Sequence, residues 1–240
     1  MFRRPPSGSG SQNATPPDPN LLQLHGLNLD FLQVLLAAQS STDQPKQHHG
    51  LRLAEAQAKA LQNSDSAALQ RMAACDFSLF SLNWHRVDEW LHLAEQSARA
   101  AVEHRTSGNS GDAPSASRAA DTTTENPGGR LNFMNCAVFF AWHLAQTNVQ
   151  AARFMLGMSS ETADVMRTMD LWQCRYIGQR YRRLLSPRWQ HNRYFWPDLL
   201  RYGLSGETEH FKLVQLLGTQ LMAQDLEPSA IARLCAIDPE

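Results

Sequence analysis

Apolar residues recur at helical spacing in two stretches of this 240-residue chain, and polar runs rich in Pro, Gly and Ser divide them. From a start near Asn28, Leu29, Leu32 and Leu36 form a stripe flanked by Phe31 and Leu35. The run Leu51 to Leu61 is rich in Ala, Gln, Glu and Lys, all strong helix formers. Val87, Leu91 and Ala94, with Trp90 beside them, give one apolar face to the segment Trp84–Arg105. Cys136 to Gln146 is apolar nearly all round, which predicts a helix buried on most sides. In the run Ala151–Ser159, Gly157 suits a helix stop, and Ser159 or Ser160 suits the next N-cap. Asp170 can cap a helix over Leu171–Leu185, with Pro187 beyond its end. A helix Phe211–Ala223 and a short one, Ser229–Ala236, close the chain. Alternating β-branched patterns are almost absent, so the expected fold class is all-α.

The polar runs set the organisation. Residues 1–20 are too poor in apolar side chains to offset ordering entropy and read as a disordered tail. Residues 106–130 read as a flexible linker, and residues 41–50 as a weaker break. The expected units are an N-terminal helical segment, 21–105, and a C-terminal helical domain, 131–240. The pattern leaves open whether they pack together. Leu27-Asn28-Leu29-Asp30-Phe31 echoes Leu131-Asn132-Phe133-Met134-Asn135, and each opens a helix reaching an Ala-Gln pair, Ala38-Gln39 and Ala145-Gln146. Ala67 to Met72 echoes Ala151 to Leu156. Duplication of a helical unit and chance likeness between Ala/Leu-rich helices both account for this.

Composition narrows the function classes. Lys and Arg total 22 against 23 Asp and Glu, so net charge alone implies no polyanionic partner. Cys75, Cys136, Cys174 and Cys235 lie far apart inside apolar patterns, with no CxxC pair, and read as free thiols of a reducing compartment. Arg3 and Arg4 precede no apolar run, so no secretory or twin-arginine signal is expected. No window approaches about 18 uninterrupted apolar residues, so no membrane span is expected and the cytoplasm is the expected location.

Chemistry concentrates between Arg167 and Arg201, where eight arginines face two acids, Asp170 and Asp198. Trp172, Tyr176, Tyr181, Trp189, Tyr194, Phe195, Trp196 and Tyr202 are interleaved among them. Guanidinium groups bind phosphates in bidentate fashion, and aromatic rings stack on bases or on the arginines themselves. A surface for nucleic acid or an acidic protein partner is one reading; a solvated helix face over an aromatic subcore is the other. Leu213–Met222 and Ser229–Cys235 have the size of the first half of a helix-turn-helix, without a recognition helix after them. His85 and His92 could share a helix face, but no carboxylate or thiol joins them at ligand spacing, so no metal is expected. No nucleophile elbow, phosphate loop or Cys–His pair is present. The expectation is no enzyme, no cofactor and no small-molecule substrate.

The stretch Leu131–Trp189 resembles the FlhD family, the D subunit of the bacterial flagellar master transcription activator. Leu131-Asn132, the apolar helix through Ala141 to Leu144-Ala145-Gln146, and Ala152-Arg153-Phe154-Met155-Leu156-Gly157-Met158 carry the likeness. Ser160 to Val165, Asp170-Leu171-Trp172-Gln173 and Arg188-Trp189 continue it. The family's subunit is far shorter, and where its members often place an inter-subunit cysteine this chain has Leu185. The resemblance implies a dimeric all-α unit that activates transcription with a partner regulator subunit. The expected homodimer interface is Val138, Phe139, Trp142, Phe154, Leu171, Ile177 and Leu184. Arg175, Arg180, Arg182, Arg183, Arg188 and Arg193 are the expected contacts to DNA or a DNA-bound partner. The rival expectation is a helical adaptor of a secretion or envelope machine that uses these arginines on an acidic protein surface.

Overall fold

The structure is a computed structural model and describes residues 18–40, 51, 53–107 and 127–226. The expected tail up to residue 17, the body of the linker and the short final helix with Cys235 lie outside the described residues.

The first half holds α1 (Pro19–Ser40), α2 (Glu55–Gln62), α3 (Ser66–Ala73), β1 (Phe80–Ser81) and α4 (Val87–Ser107). The second holds α5 (Pro127–Thr147), α6 (Val149–Leu156), α7 (Ser160–Thr168), α8 (Leu171–Arg180), β2 (Ser186–Pro187), α9 (Phe195–Ser205) and α10 (Thr208–Leu226). The fold is all-α, with one antiparallel strand pair that joins Phe80 to Pro187 and Ser81 to Ser186.

Most helix ends follow local chemistry. Ser159 accepts from the Thr162 amide, and Asp170 forms a capping box with Gln173. Gly157 ends α6 at φ 71°, in the left-handed region that glycine enters at no steric cost. Several boundaries differ from the expected ones: α4 and α5 run into both ends of the expected linker, at residues 106–107 and 127–130, and α10 is longer than Phe211–Ala223. Two differences have a local cause. α1 begins at Pro19 rather than near Asn28, because Asp18 accepts from the Asn20 amide and proline is pre-set for a first helical position. α8 stops at Arg180, because Tyr181 leaves the helical region and Leu184 and Leu185 turn into the core through a short 3-10 turn.

One continuous core spans both sides of the linker. Phe31 of α1 meets Phe133 of α5 at 5.7 Å between ring centres, and Phe80 meets Phe133 edge-on at 5.1 Å. α1 also lies against α3, α3 against α9, and α4 against α7 and α8. The N-terminal segment therefore packs on the C-terminal one, which settles what the pattern left open. By length and composition α1 is apolar enough to cross a membrane. Here Leu24, Leu27, Phe31, Leu32 and Leu35 of that helix are buried in the shared core.

The internal echo extends into the packing. Ala68 and Ala152, Met72 and Leu156, Trp90 and Cys174, and Leu93 and Ile177 stand at one sequence offset, and all eight are buried. α1 meets α5 and α4 meets α8, so matching elements face each other. The match breaks between them, where the first half has β1 and its flanking loops and the second has α7.

Candidate functional site

α8 and the turn after it carry four exposed guanidinium groups, called here the arginine ridge. Arg175 and Arg180 are exposed on the helix, and Arg182 and Arg183 are exposed on the turn after it. Buried Leu184 anchors that turn and leaves its two arginines outside. The aromatic residues hold the arginines: Arg180 lies 4.8 Å from the Tyr176 ring centre and Arg183 5.8 Å from that of Tyr181. Tyr176 stacks in turn on Trp172, at 5.3 Å and 22° between planes. The Tyr181 hydroxyl donates to Gln96 of α4, which fixes the ladder to the first half.

Arg130 of α5 joins the ridge from the side, donating from Nη2 to the Arg182 carbonyl at 3.1 Å. Burial, and then the neighbouring Arg182 charge, lower the Arg130 pKa. Burial and the neighbouring Tyr176 push the Tyr181 pKa up, while Arg183 and Arg180 pull it down. Among the described residues, Arg175, Arg180, Arg182, Arg183 and Arg193 have no carboxylate within ion-pair distance. Arg193 stands apart, exposed before α9 and stacked on Tyr194 at 4.9 Å.

Arg188 does not belong to that surface. Only 4% of it is exposed, and its guanidinium points into the core. Nη1 donates to the Ser78 hydroxyl at 3.3 Å and the Met155 carbonyl at 3.1 Å, and Nη2 meets Asp225 at 3.1 Å. The group lies 4.4 Å from the Trp189 ring centre. Burial lowers its pKa to about 10, with the Asp225 charge opposing that shift. The expected phosphate contact is a structural cross-link between β2, α6 and the end of α10. The core takes this charge because every donor direction in use ends on an acceptor.

The expected dimer interface divides as well. Val138, Ile177 and Leu184 are buried in the chain's own core, so their apolar surface is already covered within one molecule. Phe139 and Trp142 are half-buried, and the Trp142 indole donates to the Met169 carbonyl. Phe154 and Leu171 are 53% and 58% exposed and remain open to a partner.

A feature the sequence pattern did not disclose is a cleft of about 840 Å³ beside Arg188. Its walls come from residues 81–87, 153–161, 186–191 and 224–226. Asn83, His85, Arg153, Glu161, Trp189 and His191 all face it. No single stretch carries a signal for it, because four separate segments meet only after folding. Among the described residues no group of three or more His, Cys, Asp or Glu side chains is placed to hold a metal ion.

Comparison with protein-family models, curated proteins and solved structures finds no match to this chain, so the FlhD-type resemblance rests on the residues quoted for it.

Proposed function

We propose that this protein is a non-enzymatic helical regulator of transcription of the FlhD type, which meets the phosphates of DNA with the arginine ridge at the end of α8. The carrying observation is that Arg175, Arg180, Arg182 and Arg183 stand exposed without carboxylate partners while aromatic rings fix two of them. Unpaired guanidinium groups, two of them held on aromatic rings, are suited to bidentate contact with phosphate oxygens. Tyr176 is engaged by both Trp172 and Arg180, so the rings orient the arginines rather than offer faces to unstacked bases. That favours a duplex backbone over a single strand, whose binding depends on base stacking. A homodimer would use Phe154 and Leu171, the expected interface residues that the fold leaves exposed.

The test is fluorescence anisotropy of a labelled random duplex at low and near-physiological salt. We expect binding that weakens steeply with salt, and a triple variant R180Q/R182Q/R183Q that binds less and with a shallower salt slope. Removing one arginine–phosphate pair flattens the log–log slope by about 0.9. Duplex binding by the triple variant equal to that of the parent would refute this reading.

One observation favours a second reading. Net charge is −1, so no overall field draws the chain to a polyanion, and an acidic protein surface could occupy the same ridge. An adaptor of that kind shows no duplex binding even at low salt, yet captures its protein partner through the same three arginines.

A further inference from the structure

We propose that the cleft beside Arg188 binds a small organic ligand carrying one anionic group, a carboxylate or a phosphate, seated on Arg153. This site is independent of the ridge on α8.

The first observation is an unanswered charge. Arg153 is half-buried at the cleft wall, its Nε is fully enclosed, and that atom has no hydrogen-bond partner. No ion pair or hydrogen bond involves its guanidinium among the described residues. Arg188, close by, differs in this respect, because Asp225 answers its charge and three acceptors take its donors. The enclosed Nε is out of a ligand's reach, so an anion in the cleft would meet the Nη groups of the same half-buried guanidinium, and a partly desolvated cation without an acceptor favours such a partner.

The second observation is backbone strain concentrated on the same cleft. Among the described residues four have positive φ: Asn83 at 57°, Trp189 at 52°, and Gly157 and Gly206 at 71°. Three of these four line the cleft. The left-handed region is disfavoured for residues other than glycine, mildly for asparagine and more strongly for tryptophan. The Trp189 strain is held by an indole N–H that donates to Asp225 at 2.9 Å and by ring contacts with Phe77 and Phe195. The strained backbone presents the indole as one wall of the cleft. Strain that the surrounding structure over-determines in this way marks ligand clamps and active sites.

The third observation defines the ligand. A volume of about 840 Å³ suits a metabolite-sized molecule. Leu156, Pro187, Val87 and Trp189 supply apolar wall, while Asn83, Gln190 and the hydroxyls of Ser81, Ser159 and Ser186 supply polar contacts. The carboxylates of Glu161 and Asp225 also face the cleft and oppose a polyanion. One anionic group on Arg153 with an aromatic or apolar body against Trp189 satisfies all three conditions. A nucleic-acid strand, as a polyanion, is opposed by those two carboxylates, and this separates the cleft from the ridge.

The experiment is isothermal titration calorimetry of the full chain with benzoate and, separately, with phenyl phosphate, which distinguishes the two sources of the anionic group. Saturable binding of one or both is expected, together with a raised melting temperature. R153Q is expected to weaken binding at least tenfold with an unchanged circular dichroism spectrum, and R180Q/R182Q/R183Q to leave it unaltered. E161Q, at an exposed position in the first turn of α7, is expected to tighten binding several-fold by removing rim repulsion. The proposal is overturned if neither compound binds saturably at millimolar concentration. It is equally overturned if R153Q binds as well as the parent, or if binding disappears with the ridge arginines and not with Arg153.

Discussion

Asn28 offers the sharpest test of how the two halves are joined. It lies on α1, is 0% exposed, and uses its whole amide. Nδ2 donates to the carbonyls of Ala73 at 3.2 Å and Phe77 at 2.9 Å, while Oδ1 accepts from the Leu79 amide at 2.8 Å. Two carbonyls and one N–H also fix which way the amide faces. These bonds pin residues 73–79, the loop that carries Ser78 to Arg188 and Phe80 to the strand pair. In Asn28→Ala the Phe77 carbonyl and the Leu79 amide are left buried and unpaired, while the Ala73 carbonyl keeps the Cys75 amide at 2.9 Å. At about 1–3 kcal/mol for each of the two orphaned groups, with partial relaxation, the loss should be about 2–4 kcal/mol. That is a large share of the roughly 5–15 kcal/mol that stabilises a folded domain. Asn28→Asp tests the mechanism rather than the volume. It keeps the acceptor for Leu79 but turns a carboxylate oxygen toward two carbonyls. The buried carboxyl then has a folded pKa raised above its unfolded value of about 3.9. The folded state holds a proton that the unfolded state releases, so the variant's stability is lost as pH rises through the folded pKa. Urea unfolding followed by circular dichroism should show the Asp variant closer to the parent at pH near 5 than at pH near 8. A loss below about 1 kcal/mol for Asn28→Ala, or a pH-independent deficit for Asn28→Asp, would refute the argument.

Other predictions follow from single sites. Gly157 and Gly206 are both left-handed helix ends, but a Cβ at 157 would collide with the Arg188 guanidinium, while the nearest atom at 206 is 4.0 Å away. Thermal melts should therefore show Gly206→Ala costing about 1–2 kcal/mol, the left-handed penalty alone, and Gly157→Ala clearly more. Asp225→Ala leaves the buried Arg188 charge without its partner, and chemical unfolding should register about 1–3 kcal/mol of lost stability, discounted for the partial exposure of Asp225. Burial pushes the Cys75 and Cys174 thiols up to about 12, so both should resist Ellman's reagent in the folded chain while exposed Cys136 reacts. Because those thiols keep their protons where the unfolded chain loses them, the melting temperature should fall as pH rises from about 9 toward 12.

The sequence made the helical class and several helix ends legible because those depend on neighbours along the chain. Ser159, Asp170 and Gly157 act on residues within one turn, and each does what its local pattern implies. α9 was not legible: its apolar face, with Phe195, Trp196, Leu199 and Leu200 buried, was merged into one basic-aromatic stretch. Neither was the fate of Arg188, since nothing nearby in sequence announces Asp225, Ser78 and the Met155 carbonyl as its partners. Six arginines looked alike in the pattern, and burial sorted them. Leu184 pulls the chain inward between Arg183 and Arg188, so one arginine faces water and the other ends in the core. The cleft was invisible for the same reason, because Arg153, Asn83 and Trp189 become neighbours only through long-range packing.

The same long-range packing changes what the apolar all-round helix α5 means. A helix apolar on most sides needs cover on most sides, and in a chain that ended with this half a second copy would be the natural source. Here the first half supplies part of it: α1 lies on α5, with Phe31 and Phe80 both against Phe133. The equivalence of buried positions between α3 and α6, and between α4 and α8, makes that cover resemble a divergent copy rather than an unrelated domain. Divergence is greatest where β1 and its loops stand in the place of α7, and that substitution has a consequence. The β1 loop delivers Ser81 and Asn83 to the cleft, and β1 pairs with the strand that leads into Arg188 and Trp189. The cleft therefore draws its walls from both kinds of segment: Arg153 and Leu156 come from the echoed helix α6, and Ser81 and Asn83 come from the β1 loop that has no counterpart in the second half. The arginines at the end of α8 lie instead on and just after a matched helix, where exposed positions are free to diverge while the buried ones keep the echo.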